Sequence, residues 1–322
     1  MHNPIKMLSA LALTLAAAGA AAQAYPTKPI SWVVPFTPGG VTDTTSRAVA
    51  KRMSELLGVS LVVENRPGAG GMLGTEQVAR AAPDGYTVLY CTQGTMAANL
   101  ALYKNVRYDT LKDFAFVHAM FSSSTVMVVN AASPYKTFGD VMEFARRNPD
   151  KLNYGSAGAG TGTHLISELL QLTSGIKMTH VPYKGAAEIS IDLIAGRVDL
   201  SSDVTMLQYV KQGKARLLAT ASATRLADFP DVPTLAETGV PDPRATGTWF
   251  GAFAPRGTPQ PIIDKLAAAF EKALKNPDVI ARMQPYAMSP AFAGPAAFEK
   301  QWAHDDELYG KTIRELGLKL EN

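Results

Sequence analysis

Three short stretches of this 322-residue chain place glycines and hydroxyl side chains between a strand-like run and a helix-like run. The first is Pro35-Phe36-Thr37-Pro38-Gly39-Gly40-Val41-Thr42-Asp43. The second is Tyr154-Gly155-Ser156-Ala157-Gly158-Ala159-Gly160-Thr161-Gly162-Thr163-His164, and the third is Val181-Pro182-Tyr183-Lys184-Gly185-Ala186. Glycine lets the backbone come close to a ligand, and the free N–H groups at a helix start attract anions. Ser156, Thr161 and Thr163 are expected to add hydroxyl hydrogen bonds. In open α/β sheets such loops lie at the carboxyl ends of strands, where ligands bind. The chemistry predicted is recognition of a carboxylate or phosphate, mainly by backbone donors. One such loop alone is no more than a turn with an N-cap, and Thr42 reads as that cap, with Asp43 in the first helical turn. Three in one chain point to a site.

Other reactive spacings fail on inspection. Gly68-Ala69-Gly70-Gly71-Met72-Leu73-Gly74 follows a strand, but Leu73 stands at the third glycine of a dinucleotide fingerprint. No GxxxxGK[ST] or GxSxG occurs. Ser133-Pro134-Tyr135-Lys136 matches SxxK, yet Pro134 argues against a helix there and neither SDN nor KTG follows. His164 is the one histidine placed to orient a nucleophilic serine, Ser156, but no acid partner is apparent. Phe36, Tyr183 and Trp249 either pack near domain crossings or wall an apolar ligand body. Lys184 is the only cation in the three loops. Asp203 caps the next helix, or sits in the site if the ligand carries an amine.

Composition narrows the class. Apolar residues make up 47% of the chain and charged ones 18%, enough for a large core in two domains or one large one. A net charge of +3 from 31 basic and 28 acidic residues argues against nucleic acid as the main partner. Cys91 is the only cysteine, and His2, His118, His164, His180 and His304 show no HExxH or HxH spacing. No disulfide, metal or cofactor is therefore expected. Residues 1–24 read as a secretory signal peptide: Lys6, an Ala/Leu run from Met7 to Ala22, and Ala22-Gln23-Ala24 for cleavage after Ala24. An exported protein of this composition is a binding protein or a hydrolase rather than a nucleotide enzyme.

The elements that position the loops follow from periodicity. Ile30–Pro35, Leu61–Glu64, Thr87–Tyr90, Val126–Asn130, Met178–Pro182 and Leu217–Ala221 read as buried strands, and Val198–Ser202 as strand-like. Helical stripes run through Val49, Met53, Leu56 and Leu57 to Gly58, through Leu165, Ile166, Leu169 and Leu172 to Gly175, and through Ile189, Leu193 and Ile194 to Gly196. After Pro255 the pattern is mostly helical, Ile262–Leu274 and Ala297–Leu316, with Pro285 and Pro290 between. The alternation predicts an α/β fold of two lobes, each a mainly parallel sheet flanked by helices. Crossings near Phe121–Thr125 and within Pro230–Gly247 divide the chain into lobe 1 (25–124 plus 247–322) and lobe 2 (125–246), a hinged clamp.

At these loops the sequence resembles the extracytoplasmic solute receptors of the tripartite tricarboxylate transporter system, the Bug family. The matching pieces are Tyr25-Pro26-Thr27-Lys28-Pro29-Ile30, Pro38 to Asp43, Glu64-Asn65-Arg66-Pro67-Gly68-Ala69-Gly70-Gly71 and Ala82-Pro83-Asp84-Gly85-Tyr86. Tyr154 to Gly158, Val181 to Gly185, Asp231-Val232-Pro233-Thr234-Leu235-Ala236-Glu237 and Pro255-Arg256-Gly257-Thr258-Pro259 complete the series. The resemblance covers the mature chain in order. It implies a monomeric, type II-like periplasmic binding protein without catalytic residues, serving a permease of large and small membrane subunits. It also implies that Phe36, Gly39, Gly40, Thr42 and Asp43 hold a ligand carboxylate together with Ser156, Ala157, Gly158, Gly160, Thr161, Thr163 and His164. Tyr183, Lys184, Gly185, Ala186 and Asp203 are carried over with them. Family ligands span di- and tricarboxylates, acidic amino acids and aromatic carboxylates. Two other readings stay open: a receptor that presents its ligand to a sensor kinase, and an exported hydrolase using Ser156 and His164.

Overall fold

The computed structural model describes residues 25–222, 224–240, 248–315 and 317. The expected signal peptide, the end of the second expected crossing (241–247) and Leu316 lie outside the described residues. The chain first lays down β1 (Ile30–Val34), β2 (Leu61–Asn65), β3 (Thr87–Thr92) and β4 (Phe114–Ser123). It crosses at Ser124 to build a second sheet from β5 (Thr125–Asn130), β6 (Asn153–Ser156), β7 (Thr179–Pro182), β8 (Leu200–Ser201) and β9 (Ala215–Ala221). It then returns to the first sheet with β10 (Thr248–Pro255) and β11 (Met288–Ala293). The strand orders are β11-β4-β10-β3-β1-β2 and β7-β6-β8-β5-β9.

Two α/β layers flanked by helices are thus present, but each sheet is mixed rather than mainly parallel. In the first, β1 pairs in parallel with β2 and β3, while β10 is antiparallel to β3 and β4, and β11 to β4. In the second, β6 is parallel to β7 and β8, and β5 is antiparallel to β8 and β9. The reason is the double crossing. A chain that leaves a sheet along β4 and re-enters along the adjacent β10 must run the opposite way, and β5 and β9 face the same constraint. The parallel strands β1, β6 and β7 are the ones that end in the glycine-bearing loops.

The six strands expected from short apolar runs are all present. Periodicity missed β4, β6, β10 and β11. The first and third of these are buried along nearly their whole length, so they show no alternation to read. β6 is Asn-Tyr-Gly-Ser, too short and polar to stand out. β11 contains Pro290, tolerated because the strand lies at the sheet edge beside an irregularity in its pairing with β4. The helix Val41–Leu57 stops at Gly58, at φ 71°, whose N–H bonds Ser54 O, and Gly162–Ser174 stops at Gly175, at φ 63°. Both are the left-handed terminations that the glycines predicted.

Helices Gln260–Leu274 and Pro295–Glu315 cover the first sheet. Phe270 packs on Trp32, with ring centroids 5.0 Å apart, and Phe298 packs edge-on to Phe116 and Trp249. Phe138, Tyr154, Ile166, Leu170 and Leu218 form the core of the second sheet. Each fully buried large side chain stabilises the fold by roughly 1.5–3 kcal/mol. Among the described residues, no helix is long and apolar enough to cross a membrane.

Candidate functional site

A cleft with about 740 Å³ of empty space, its mouth included, lies between the two sheets at the chain crossing. Its floor is the end of the β4–β10 ladder, where Thr248 pairs with Ser123, together with Ser124 and Thr125 at the start of β5. Phe36, Val41, Ile166, Val204 and Phe250 supply apolar wall. Asp203 is the only charged side chain among the described lining residues.

Three helix starts face this region. Gly40, Thr161 and Gly185 are the N-cap residues of Val41–Leu57, Gly162–Ser174 and Ala186–Ile194, and none gives its helix a side-chain cap. First-turn N–H groups at each helix start therefore keep capacity for an anion, although in the second helix the His164 N–H is taken by Thr161 O (3.0 Å). The helix starts come from opposite sheets and nearly touch: a Cβ on Gly40 would lie 3.6 Å from Ala186 Cβ. Thr42 is not the cap predicted from sequence. The helix begins two residues earlier than that reading placed it, which puts Thr42 at its second position, lining the cleft.

The first loop is braced by Asp43. Its carboxylate accepts from Gly39 N (2.9 Å), Arg47 Nε (3.1 Å) and Asn65 Nδ2 (3.0 Å). Asn65 also bonds Phe36 O. Burial works to raise this carboxyl, but the bonds from Arg47, Gly39 and Asn65 outweigh it and hold it below its ordinary range. Asp43 shapes the loop and does not line the cleft.

The second loop is braced by its own hydroxyls and by two histidines. Thr161 Oγ1 donates to Gly158 O (2.7 Å), which leaves Thr163 as the donor in the 3.0 Å contact between the two threonine hydroxyls. Thr163 Oγ1 in turn accepts from Ala157 N (3.0 Å). Ser156 is fully buried, with Oγ 2.6 Å from His180 Nε2, and its Oγ also meets Gly158. His164 Nδ1 accepts from Gly160 N (3.1 Å), which requires that nitrogen to be unprotonated. The rings of Tyr154, His180 and His164 stack in that order, the two imidazoles 4.2 Å apart. Burial lowers both histidines to about 4, with the His164 charge adding to the effect at His180. The histidine paired with Ser156 is thus His180, not the His164 singled out from sequence, and both side chains stay behind the loop.

In the third loop, Tyr183 turns its hydroxyl to Asp192 (2.8 Å), and Lys184 is exposed. Thr37 of the first loop donates to Glu188 Oε2 (3.1 Å), which ties the lobes together across the cleft edge. Asp203 caps the turn Val204–Met206 by accepting from Thr205 N (2.9 Å), and burial raises its carboxyl against that bond.

Of the residues singled out from sequence, Phe36, Gly40, Thr42, Ala157, Thr161, Thr163, Ala186 and Asp203 meet in the cleft wall. Gly39, Asp43, Ser156, Gly158, Gly160, His164, Tyr183, Lys184 and Gly185 do not line it. Sequence reading missed Thr92, Ser123, Ser124, Thr125, Ser202, Thr248, Phe250 and Tyr309. The Ser122-Ser123-Ser124-Thr125 run beside the expected crossing was the available signal. It also missed the use of Gly68–Gly71: Gly70, at φ 61°, lies so close to the second loop that a Cβ would stand 2.3 Å from Ala159 O.

Comparison with known proteins agrees with this architecture. Residues 45–318 match the family described as tripartite tricarboxylate transporter family receptor. A Pseudomonas sp. (strain P51) protein, the UPF0065 protein of the tcbD-tcbE intergenic region, is 36% identical over 319 residues, covering 97% of this chain and 94% of that one. The solved structure of the periplasmic binding protein BugD is similar at 33% identity and TM-score 0.88, covering 92% of this chain and 100% of its own. R. palustris Rpa4515 with adipate is 32% identical, TM-score 0.87, with coverage of 92% and 100%. MatC (Rpa3494) from Rhodopseudomonas palustris with bound malate is 32% identical, TM-score 0.86, with coverage of 90% and 100%. With uncapped helix starts meeting in an interlobe cleft and a match along most of its length, the chain belongs to the receptor family of the tripartite tricarboxylate transporters.

Proposed function

We propose that this receptor captures a small carboxylate in the cleft and hands it to a permease of large and small membrane subunits. The lobes are 25–124 with 247–322, and 125–246, and they close about the crossing at Ser124. The protein acts in the periplasm as a monomer after cleavage behind Ala24, with no cofactor, metal or catalytic step. The observation that carries this reading is the meeting of three uncapped helix starts from both sheets at one cleft. A carboxylate there takes N–H donors from both lobes only when they are closed. Its differential affinity then shifts the population toward the closed form that a permease recognises. Adipate and malate in two similar proteins support the ligand class.

Thermal-shift screening of residues 25–322 against adipate, malate, citrate, benzoate and related acids tests the reading. A ligand at 100 times its dissociation constant stabilises by about 2.7 kcal/mol. Gly40→Val should abolish the response. Its backbone, at φ −75°, accepts a side chain and a Cβ fits, but the branched methyls fill the space between helix starts. No response to any acid from ligand-free wild-type protein would refute the proposal.

A further inference from the structure

We propose that Thr248, on the strand that re-enters the first sheet, is a ligand-positioning residue whose hydroxyl donates to the bound carboxylate. This rests on the carboxylate-receptor reading above. Ten of the described residues lining the cleft carry hydroxyls, and five of them have already given their single proton to the protein. Thr161 donates to Gly158 O, Thr163 to Thr161, Ser123 to Ser124 O, Ser202 to Thr163 O, and Tyr309 to Gln93 Oε1. These groups shape the walls and have no proton left for a ligand.

Thr248 differs. Its Oγ1 is buried and has no hydrogen-bond partner among the described residues. Of the buried side-chain polar atoms in that condition, it alone belongs to a residue lining the cleft. A buried hydroxyl left unpaired is destabilising, so its retention calls for a partner that arrives with the ligand. Its position says which end of the ligand that is. Thr248 Oγ1 lies 3.6 Å from where a Cβ on Gly162 would stand, and Gly162 is the first residue of the helix Gly162–Ser174. A carboxylate oxygen at that helix start is therefore within reach of a donor from the crossing strand as well as donors from the helix. Because Thr248 pairs with Ser123 at the crossing itself, the contact would couple ligand directly to the hinge.

The test is calorimetric titration of residues 25–322 with adipate and with malate, in wild type, Thr248→Val and Thr248→Ser. Loss of a hydrogen bond to a charged group predicts binding about 10-fold or more weaker in T248V. The ligand-free melting temperature of T248V should be unchanged or higher, since an unpaired buried hydroxyl has gone. T248S should keep wild-type affinity. Should valine prevent folding, Thr248→Ala carries the same prediction for affinity. Affinity of the valine or alanine variant within about twofold of wild type would overturn the inference, as would an equal loss in T248S. If wild type binds neither these acids nor any other carboxylate, the receptor reading fails and this inference fails with it.

Discussion

The two loops that end β1 and β6 perform the same task with opposite chemistry. Both lead from a parallel strand to an uncapped helix start at the cleft. The first is held by one carboxylate, Asp43, ion-paired to Arg47 at 2.9 Å, with side chains 5% and 52% exposed respectively. The second is held by neutral groups, a chain of hydroxyls and two buried imidazoles, with Glu168 and the Tyr154 hydroxyl beyond them. Glu168 Oε1 accepts from Tyr154 and Gln171 and lies 3.8 Å from His164 Nε2. The backbone at an uncapped helix start can thus be held by a buried carboxylate paired to a half-exposed arginine or by neutral hydrogen bonds inside, and the two solutions fail under different conditions.

Acid separates them most strongly. His164 is neutral when folded down to about pH 4, whereas the unfolded chain takes up a proton near 6.5. Stability is therefore full above about pH 6.5 and falls as pH drops toward 4, by up to about 3 kcal/mol from His164 alone. Asp43, held below its usual range, keeps its contribution throughout that window and loses it only at lower pH. Urea unfolding at pH 7.5, 6.0, 5.0 and 4.5 should show this slope, made shallower by about one proton in His164→Asn. An unchanged slope in that variant would remove the histidine brace.

The next effect concerns closure onto the second loop. Gly70→Ala puts a methyl 2.3 Å from Ala159 O, a backbone atom of the opposite lobe, and does so at a positive φ. Carboxylate affinity should fall at least about 100-fold, or roughly 2.7 kcal/mol, while far-ultraviolet circular dichroism stays native. Retained affinity would mean that the closed contact at Gly70 is not needed for binding.

The smallest effect is on the first loop. Asp43→Asn keeps an acceptor for Gly39 but removes the ion pair with the half-exposed Arg47, a loss of about 0.5–1 kcal/mol at low salt. At 1 M salt the difference from wild type should nearly vanish. A salt-independent loss would show that the hydrogen bonds, not the charge, hold this loop.

Much of the fold could be read in the chain because it depends on local pattern. The buried runs of β1, β3 and β5, and the glycines that stop two helices, report their roles through neighbours only a few residues away. The glycine-rich loops were legible for the same reason, since a strand, a glycine and a helix start suffice to predict backbone donors. The roles of single side chains in those loops were not. Ser156, Thr161, Thr163 and His164 look like ligand groups until their partners, His180 and the loop's own carbonyls, are placed in space.

Sequence alone thus determined the alternating α/β order, the crossing near Ser124 and the glycine-bearing helix starts, all properties of short windows. Tertiary structure decided the mixed strand order, which of two histidines meets Ser156, and which cleft-lining hydroxyl is buried without a partner among the described residues. Those depend on contacts between residues far apart in the chain, such as Ser123 with Thr248 and Gly70 with Ala159. No local pattern encodes such contacts, because packing two sheets around a cleft sets them all at once.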